Sequence, residues 1–143
     1  MFIGEYKYNL DDKNRLALPS KFRKLFTSGA VITKGLDNCL FIYTDKEWKK
    51  LADKLANLPF SQAKSRAFSR MMLAGAMDVN LDKQGRIILP DYLKDFGGLN
   101  KKVVIAGLYN RLEVWDEKMW SKYQRTSEKD SNEIAEGLVD LGI

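Results

Sequence analysis

The chain contains no histidine. That absence removes every Ser/His or Cys/His nucleophile arrangement and every His-bearing zinc site. A mechanism built on Asp11, Asp12, Asp82 and lysines stays open, but without histidine or a metal-ligand spacing an enzyme is the weakest reading. The single cysteine, Cys39, cannot form an internal disulfide, which agrees with a reducing compartment. No apolar run approaches the roughly 18 residues that a membrane helix needs. The start, Met1-Phe2-Ile3-Gly4-Glu5-Tyr6, lacks the charged opening and apolar middle of a signal peptide. The expected location is therefore cytoplasmic, with no membrane contact. Neither a P-loop nor a Gly-rich dinucleotide motif is present, so no cofactor, metal or small-molecule substrate is expected.

What the chain has instead is a sentence said twice. Asn9-Leu10-Asp11, three residues, Arg15, three apolar residues and Pro19 return seventy-one positions later as Asn80-Leu81-Asp82, three residues, Arg86, three apolar residues and Pro90. Downstream, Gly35-Leu36 and Leu40 to Tyr43 match Gly107-Leu108 and Leu112 to Trp115 at an offset of seventy-two, and Trp48 matches Trp120. The extra residue falls to the turn at Gly97-Gly98. An internal repeat takes precedence over other patterns. Two halves of about seventy residues would each bury only a thin core, so they should share one or borrow from a neighbouring subunit. The boundaries read as residues 1–60 for a first repeat, 61–76 for a connecting helix, 77–122 for a second repeat and 123–143 for a C-terminal helical segment.

Each half reads strand, turn, strand, short helix, strand, turn, strand, helix. Alternating aromatics make 2–10 a strand. Asn14 and Gly85 stand at matching places, and both tolerate a left-handed backbone, so both turns should bend alike. Pro19 and Pro90 each open a short helix. Thr44 and Glu47 have the spacing of a capping box before a helix carrying Trp48, Leu51 and Leu55. Ser61 to Ala76 reads as one basic helix, and Asn132 to Leu141 as an acidic, weakly amphipathic one. The connections are too short for crossover helices. The expected fold is mainly β with flanking helices, an α+β class: a duplicated, pseudo-two-fold β-barrel, as one compact unit. Trp48, Trp115 and Trp120 are assigned to the core, and Phe68, Met71, Met72 and Met77 to core or subunit interface.

The net charge of +5 is unevenly spread: residues 1–76 hold 14 Lys and Arg against 7 acids, and residues 77–143 hold 10 against 12. A basic half suggests one face for a polyanion. The Asp-x-x-x-Arg unit has two compatible readings. Asp11 can pair with Arg15 and hold the turn shut. Alternatively, Lys13 and Arg15, with Arg86 opposite, face nucleic acid: arginine bonds two acceptors of guanine at once, and lysine meets phosphate. The candidate DNA-binding residues are Lys13, Arg15, Lys21, Arg23, Lys83 and Arg86. Lys21, Arg23 and Lys24 make the first half look like the stronger contact. Arg66 and Arg70 are assigned to the surface, and Cys39 receives no role.

These residues resemble the MraZ family, bacterial transcriptional regulators with two swapped-hairpin domains of the SpoVT-AbrB type. The resemblance covers nearly the whole chain: Met1 to Tyr6, Leu10 to Arg15, Pro19 to Arg23, Gly35, Asn38 to Leu40, Asp82 to Pro90 and Leu112 to Trp115. The family pattern Asp-x-Lys-Gly-Arg has Asn14 at its glycine in the first copy and Gln84 at its lysine in the second, and the resemblance implies that Gln84 joins the DNA-binding candidates. The resemblance implies a repressor that binds double-stranded DNA as a ring-shaped homo-oligomer, an octamer favoured. It would recognise short direct repeats upstream of the cell division and cell wall gene cluster containing its own gene, and be nucleoid-associated. The competing reading is an oligomeric interaction module or the antidote of a toxin pair, roles the same fold serves. Toxin-binding relatives carry one such domain and a disordered tail, whereas this chain has two repeats.

Overall fold

The computed structural model describes residues Met1–Ile143. Eight strands run in chain order: β1 (Phe2–Asn9), β2 (Arg15–Ala17), β3 (Ala30–Lys34), β4 (Leu40–Thr44), β5 (Met77–Val79), β6 (Arg86–Ile88), β7 (Lys102–Tyr109) and β8 (Leu112–Asp116). The helices are α1 (Asp45–Ala56), α2 (Ala63–Ser69), α3 (Asp91–Phe96), α4 (Glu117–Lys129) and α5 (Ser131–Glu136). No helix is long and apolar enough to cross a membrane.

Six strands form one antiparallel sheet in the order β1-β7-β8-β4-β3-β5, and the remaining two, β2 and β6, pair with each other. The first strand of each half lies against the third strand of the other: Phe2 to Asn9 face Tyr109 to Lys102, and Ala30 to Ile32 face Val79 to Met77. At Gly107 the two backbones come so close that a side chain there would strike Phe2 and Ile3. The halves therefore share one sheet.

Alternation sorts the side chains into two cores. Leu40, Ile42, Val103, Ile105, Leu112 and Val114 point to one face, where Leu16, Leu18, Ile87 and Leu89 of the β2–β6 ribbon and Phe22, Phe26 and Leu93 of the short helices cover them. Cys39, Phe41, Tyr43 and Trp115 point to the other face, under Trp48, Leu51 and Leu55 of α1, Trp120 of α4, and Met72. Three layers result, with the sheet in the middle.

The expected barrel does not close. β1 and β5 lie at opposite edges of an open sheet. The strands that could have joined them are three residues long and bond to one another instead. With both faces of the sheet already covered, closure has no further apolar surface to bury. The class is mixed α and β, with a large antiparallel sheet.

The short helix expected after Pro19 forms over Ser20–Phe26 and is of the 3-10 kind. Two local expectations change. The 61–76 stretch is not one α-helix: after α2 the chain widens into a π-helix at Arg70–Ala74. There the Thr33 hydroxyl donates to the Met72 carbonyl at 2.6 Å, a buried partner. Phe68 of α2 remains partly exposed. At the start of α1 the Glu47 N–H donates to Thr44 Oγ1 at 3.2 Å, but the Glu47 carboxylate pairs with Lys50 rather than reaching back. The cap is therefore one-sided.

Candidate nucleic-acid interface

Each Asp-x-x-x-Arg turn is built by its aspartate. Asp11 Oδ1 accepts from the backbone N–H groups of Lys13 and Arg15, both at 2.9 Å. Its Oδ2 accepts from Arg15 Nε. In the second copy Asp82 Oδ1 accepts from the N–H groups of Gln84 and Arg86 at 2.9 Å, and Oδ2 from Arg86 Nε at 2.8 Å. An acidic side chain that bonds its own backbone two residues on is the standard Asx arrangement. The backbone N–H of each following arginine, then its side chain, holds the Asp11 and Asp82 carboxyls below the ordinary carboxylate value. At the tip the backbone turns left-handed, φ +59° at Asn14 and +74° at Gly85.

The two turns meet because β2 and β6 are antiparallel neighbours. Leu16 faces Ile87, Arg15 faces Ile88, and Ala17 faces Arg86. Leu16 and Ile87 point into the core and are fully buried. Alternation then places Arg15, Ala17, Arg86 and Ile88 on the outer face of the ribbon. Two residues separate the arginines along it, roughly 7 Å. The ladder extends past the strands: Leu89 N–H donates to the Asn14 carbonyl at 2.9 Å, and Leu18 N–H to the Gly85 carbonyl at 3.0 Å.

Each arginine spends its Nε on the clamp, and neither terminal nitrogen has a protein acceptor. The aspartate thus fixes the guanidinium plane and leaves the two-donor end unspent on a side chain that is partly exposed. Such an end can bond the two major-groove acceptors of guanine or a phosphate. The structural and functional readings of the motif coexist.

The short helices cross over to serve the opposite turn. Arg23, from the first half, donates through Nε to the Leu18 carbonyl at 2.9 Å, and its side chain lies against Gly85 in the second turn. Lys94, from the second half, donates to Asn14 Oδ1 at 3.1 Å in the first turn, and Asn14 Nδ2 donates to Asp91 at 2.8 Å. Lys13, Lys83 and Gln84 sit exposed on the turns. Lys21 sits elsewhere: its ammonium lies 5.3 Å and 5.2 Å from the Tyr6 and Phe22 ring centres. Arg66 is occupied by the Phe60 carbonyl at 2.9 Å. Asn14, Asp91 and Lys94 were not among the sequence candidates. Lys94 stands seventy-one positions after Arg23, so the repeat itself would have pointed to it.

Cys39 is buried beneath the sheet, its Sγ 3.2 Å from the Leu36 carbonyl, and burial first, then Glu113, pushes its thiol strongly up. It belongs to the second core.

Comparison with known proteins adds a family. The family model described as "MraZ protein, putative antitoxin-like" matches residues 1–71 and again 72–141. A protein of Natranaerobius thermophilus named "Transcriptional regulator MraZ" is 48% identical over 143 residues, the whole of both chains. Proteins of the same name from Halothermothrix orenii and Clostridium acetobutylicum are 46% and 45% identical, again over the whole of both chains. Matched along its length in two successive copies and by full-length relatives, the chain belongs to the MraZ family.

Proposed function

We propose that this protein is a sequence-specific DNA-binding transcriptional regulator that reads DNA with the β2–β6 ribbon. One observation carries the reading: two arginines, each clamped by an aspartate four residues earlier, stand on the outer face of one ribbon with their terminal nitrogens unspent. The major groove, about 12 Å wide, admits a two-stranded ribbon. Arg15 and Arg86 contact bases, while Lys13, Lys83, Gln84 and Arg23 position the backbone. Lys21, packed on two rings, contributes through long-range charge. The names of the full-length relatives support the regulatory role. No catalytic step is assigned to the chain.

The finer reading follows the family resemblance. The regulator represses the cell division and cell wall cluster containing its own gene, by binding short direct repeats upstream, in the cytoplasm at the nucleoid. The exchange of first strands between halves supports a duplicated swapped-hairpin unit with the boundaries given above. A ring homo-oligomer, an octamer favoured, would bring many ribbons to successive repeats and gain avidity without new contacts. An open groove of about 460 Å³ between Met1, Phe2, Leu25, Thr44 and Tyr109, with exposed Met1, Leu25 and Tyr109, suits a subunit contact. The description "antitoxin-like" keeps a toxin-antidote role as the second reading.

The test is titration into labelled DNA from upstream of the protein's own gene, beside a scrambled duplex, at two salt concentrations. Selective binding that Arg15→Ala or Arg86→Ala destroys supports the regulator, with affinity falling steeply as salt rises. Equal, weak binding to both duplexes, unchanged by either substitution, overturns it and turns attention to a copurifying protein.

A further inference from the structure

The outer face of the ribbon carries one group that charge does not explain. Ile88 is 61% exposed, although its neighbours Ile87 and Leu89 are buried. It faces Arg15 across the ribbon and stands two residues from Arg86 on its own strand. A single exposed apolar residue is ordinary. This one stands beside two guanidiniums, on a face where the remaining outward position is Ala17. Ala17 is also its counterpart in the repeat, seventy-one positions earlier. The face therefore has matched arginines but unmatched apolar groups, a branched side chain on one strand and a single methyl on the other.

We infer that Ile88 reads the C5-methyl group of a thymine, on the base pair next to the one Arg15 contacts. This rests on the DNA-binding reading above and adds to it the base that the apolar position prefers. In the major groove thymine alone presents a methyl group, and apolar contact is how proteins recognise it. Side chains directly opposite on a ribbon stand about 5 Å apart, about one and a half of the roughly 3.4 Å steps between successive bases, which is within the reach of two flexible side chains. A guanine bonded by Arg15 thus brings the neighbouring pair under Ile88. The flanking guanidiniums name the occupant: a partner that offers a methyl group between hydrogen-bond acceptors and phosphates is DNA, not an apolar protein surface. Ala17 offers only its Cβ methyl, a smaller contact of the same kind, so the stronger preference belongs to one side of the site.

The experiment compares the upstream duplex with the same duplex in which every thymine is replaced by deoxyuridine, which keeps the hydrogen-bonding edge and lacks the methyl. Each is titrated with the unaltered protein, with Ile88→Ala and with Arg86→Ala. The unaltered protein should bind the deoxyuridine duplex more weakly, by about fourfold for each contacted methyl. Ile88→Ala should bind the thymine duplex several-fold more weakly and distinguish the two duplexes less than the unaltered protein does. Because Ile88 is exposed, the variant should melt with the unaltered protein. An Ile88→Ala protein that keeps the full thymine preference overturns the inference, as does an unaltered protein that binds both duplexes alike. If selective binding persists and depends on Arg86 while the methyl has no effect, only the Ile88 assignment falls. If selective binding is absent, the DNA reading falls with it.

Discussion

The two turns share a skeleton and differ in their company. Asp11–Arg15 and Asp82–Arg86 have the same clamp, the same left-handed tip and the same register on the ribbon. Yet the first turn carries two acids, Asp11 and Asp12, where the second carries one acid and has Lys83 at the place of Asp12. The first receives Lys94 and Asp91 from the second half of the chain, whereas the second receives Arg23 from the first. By sequence the first half looks like the stronger contact. In the fold Arg23, part of its basic helix, lies on the second turn. The difference teaches that a turn can be specified locally while its electrostatic setting is delivered by topology.

The comparison can be broken or sharpened in five ways. Leu16→Ala and Ile87→Ala remove matched, fully buried side chains, so each should cost about 2–5 kcal/mol and the two should agree in urea unfolding. Unequal costs would show that the halves do not share the core evenly. Arg86→Ala should weaken DNA binding about tenfold to a hundredfold, and Arg15→Ala less, because Arg15 works among more acids. A larger loss for Arg15, measured in the same titration, would reverse the ranking.

The charge difference at the second turn position can be exchanged. Asp12→Lys should tighten binding several-fold and steepen the salt slope by about one, and Lys83→Asp should do the opposite. Neither changing affinity would remove the turns from the interface. At the tips, Gly85→Ala places a methyl against Arg23 and in a left-handed backbone, at a cost of about 1–2 kcal/mol in thermal unfolding. Asn14→Gly should cost less, since it relieves the backbone while losing the bonds to Asp91 and Lys94.

The smallest effect concerns pH, where the turns should behave alike. Asp11 and Asp82 have lowered values in the fold and an ordinary value near 3.9 when unfolded. A carboxylate lowered on folding stabilises above its unfolded value, and that contribution disappears as pH falls through the folded one. The clamps should therefore be intact at pH 5 and open only below about 3.9. The Nε–H resonances of Arg15 and Arg86 report this directly. Opening of either above pH 5 would contradict the clamp.

Much of the site is legible residue by residue. The Asp clamp spans four positions, and Asn14 and Gly85 announce the left-handed tip by residue type alone. Pro19 and Pro90 mark the helix starts, although not that the first helix is 3-10. The barrel expectation fails for a different reason. Alternation in β4 and β8 says that both faces are apolar, but not that the ribbon and the helices cover them and leave the sheet open. The π-helix at Arg70–Ala74 bonds through its Met72 carbonyl to a partner thirty-nine residues away, Thr33, and no local pattern contains that contact. Lys94 and Asp91 reach the first turn only because β2 and β6 are neighbours.

The amino-acid order by itself determined the repeat, the two clamped turns, the shared strand pattern and the exclusion of histidine chemistry. The turns rest on hydrogen bonds and conformations that span a few residues, and the repeat and the missing histidine are matters of residue identity alone. Tertiary structure decided which strand lies beside which, that the sheet stays open, and which half's helix attends which turn. Those outcomes depend on burying both faces of a six-stranded sheet at once, and a strand's alternating pattern specifies the face it buries but not the neighbour that buries it.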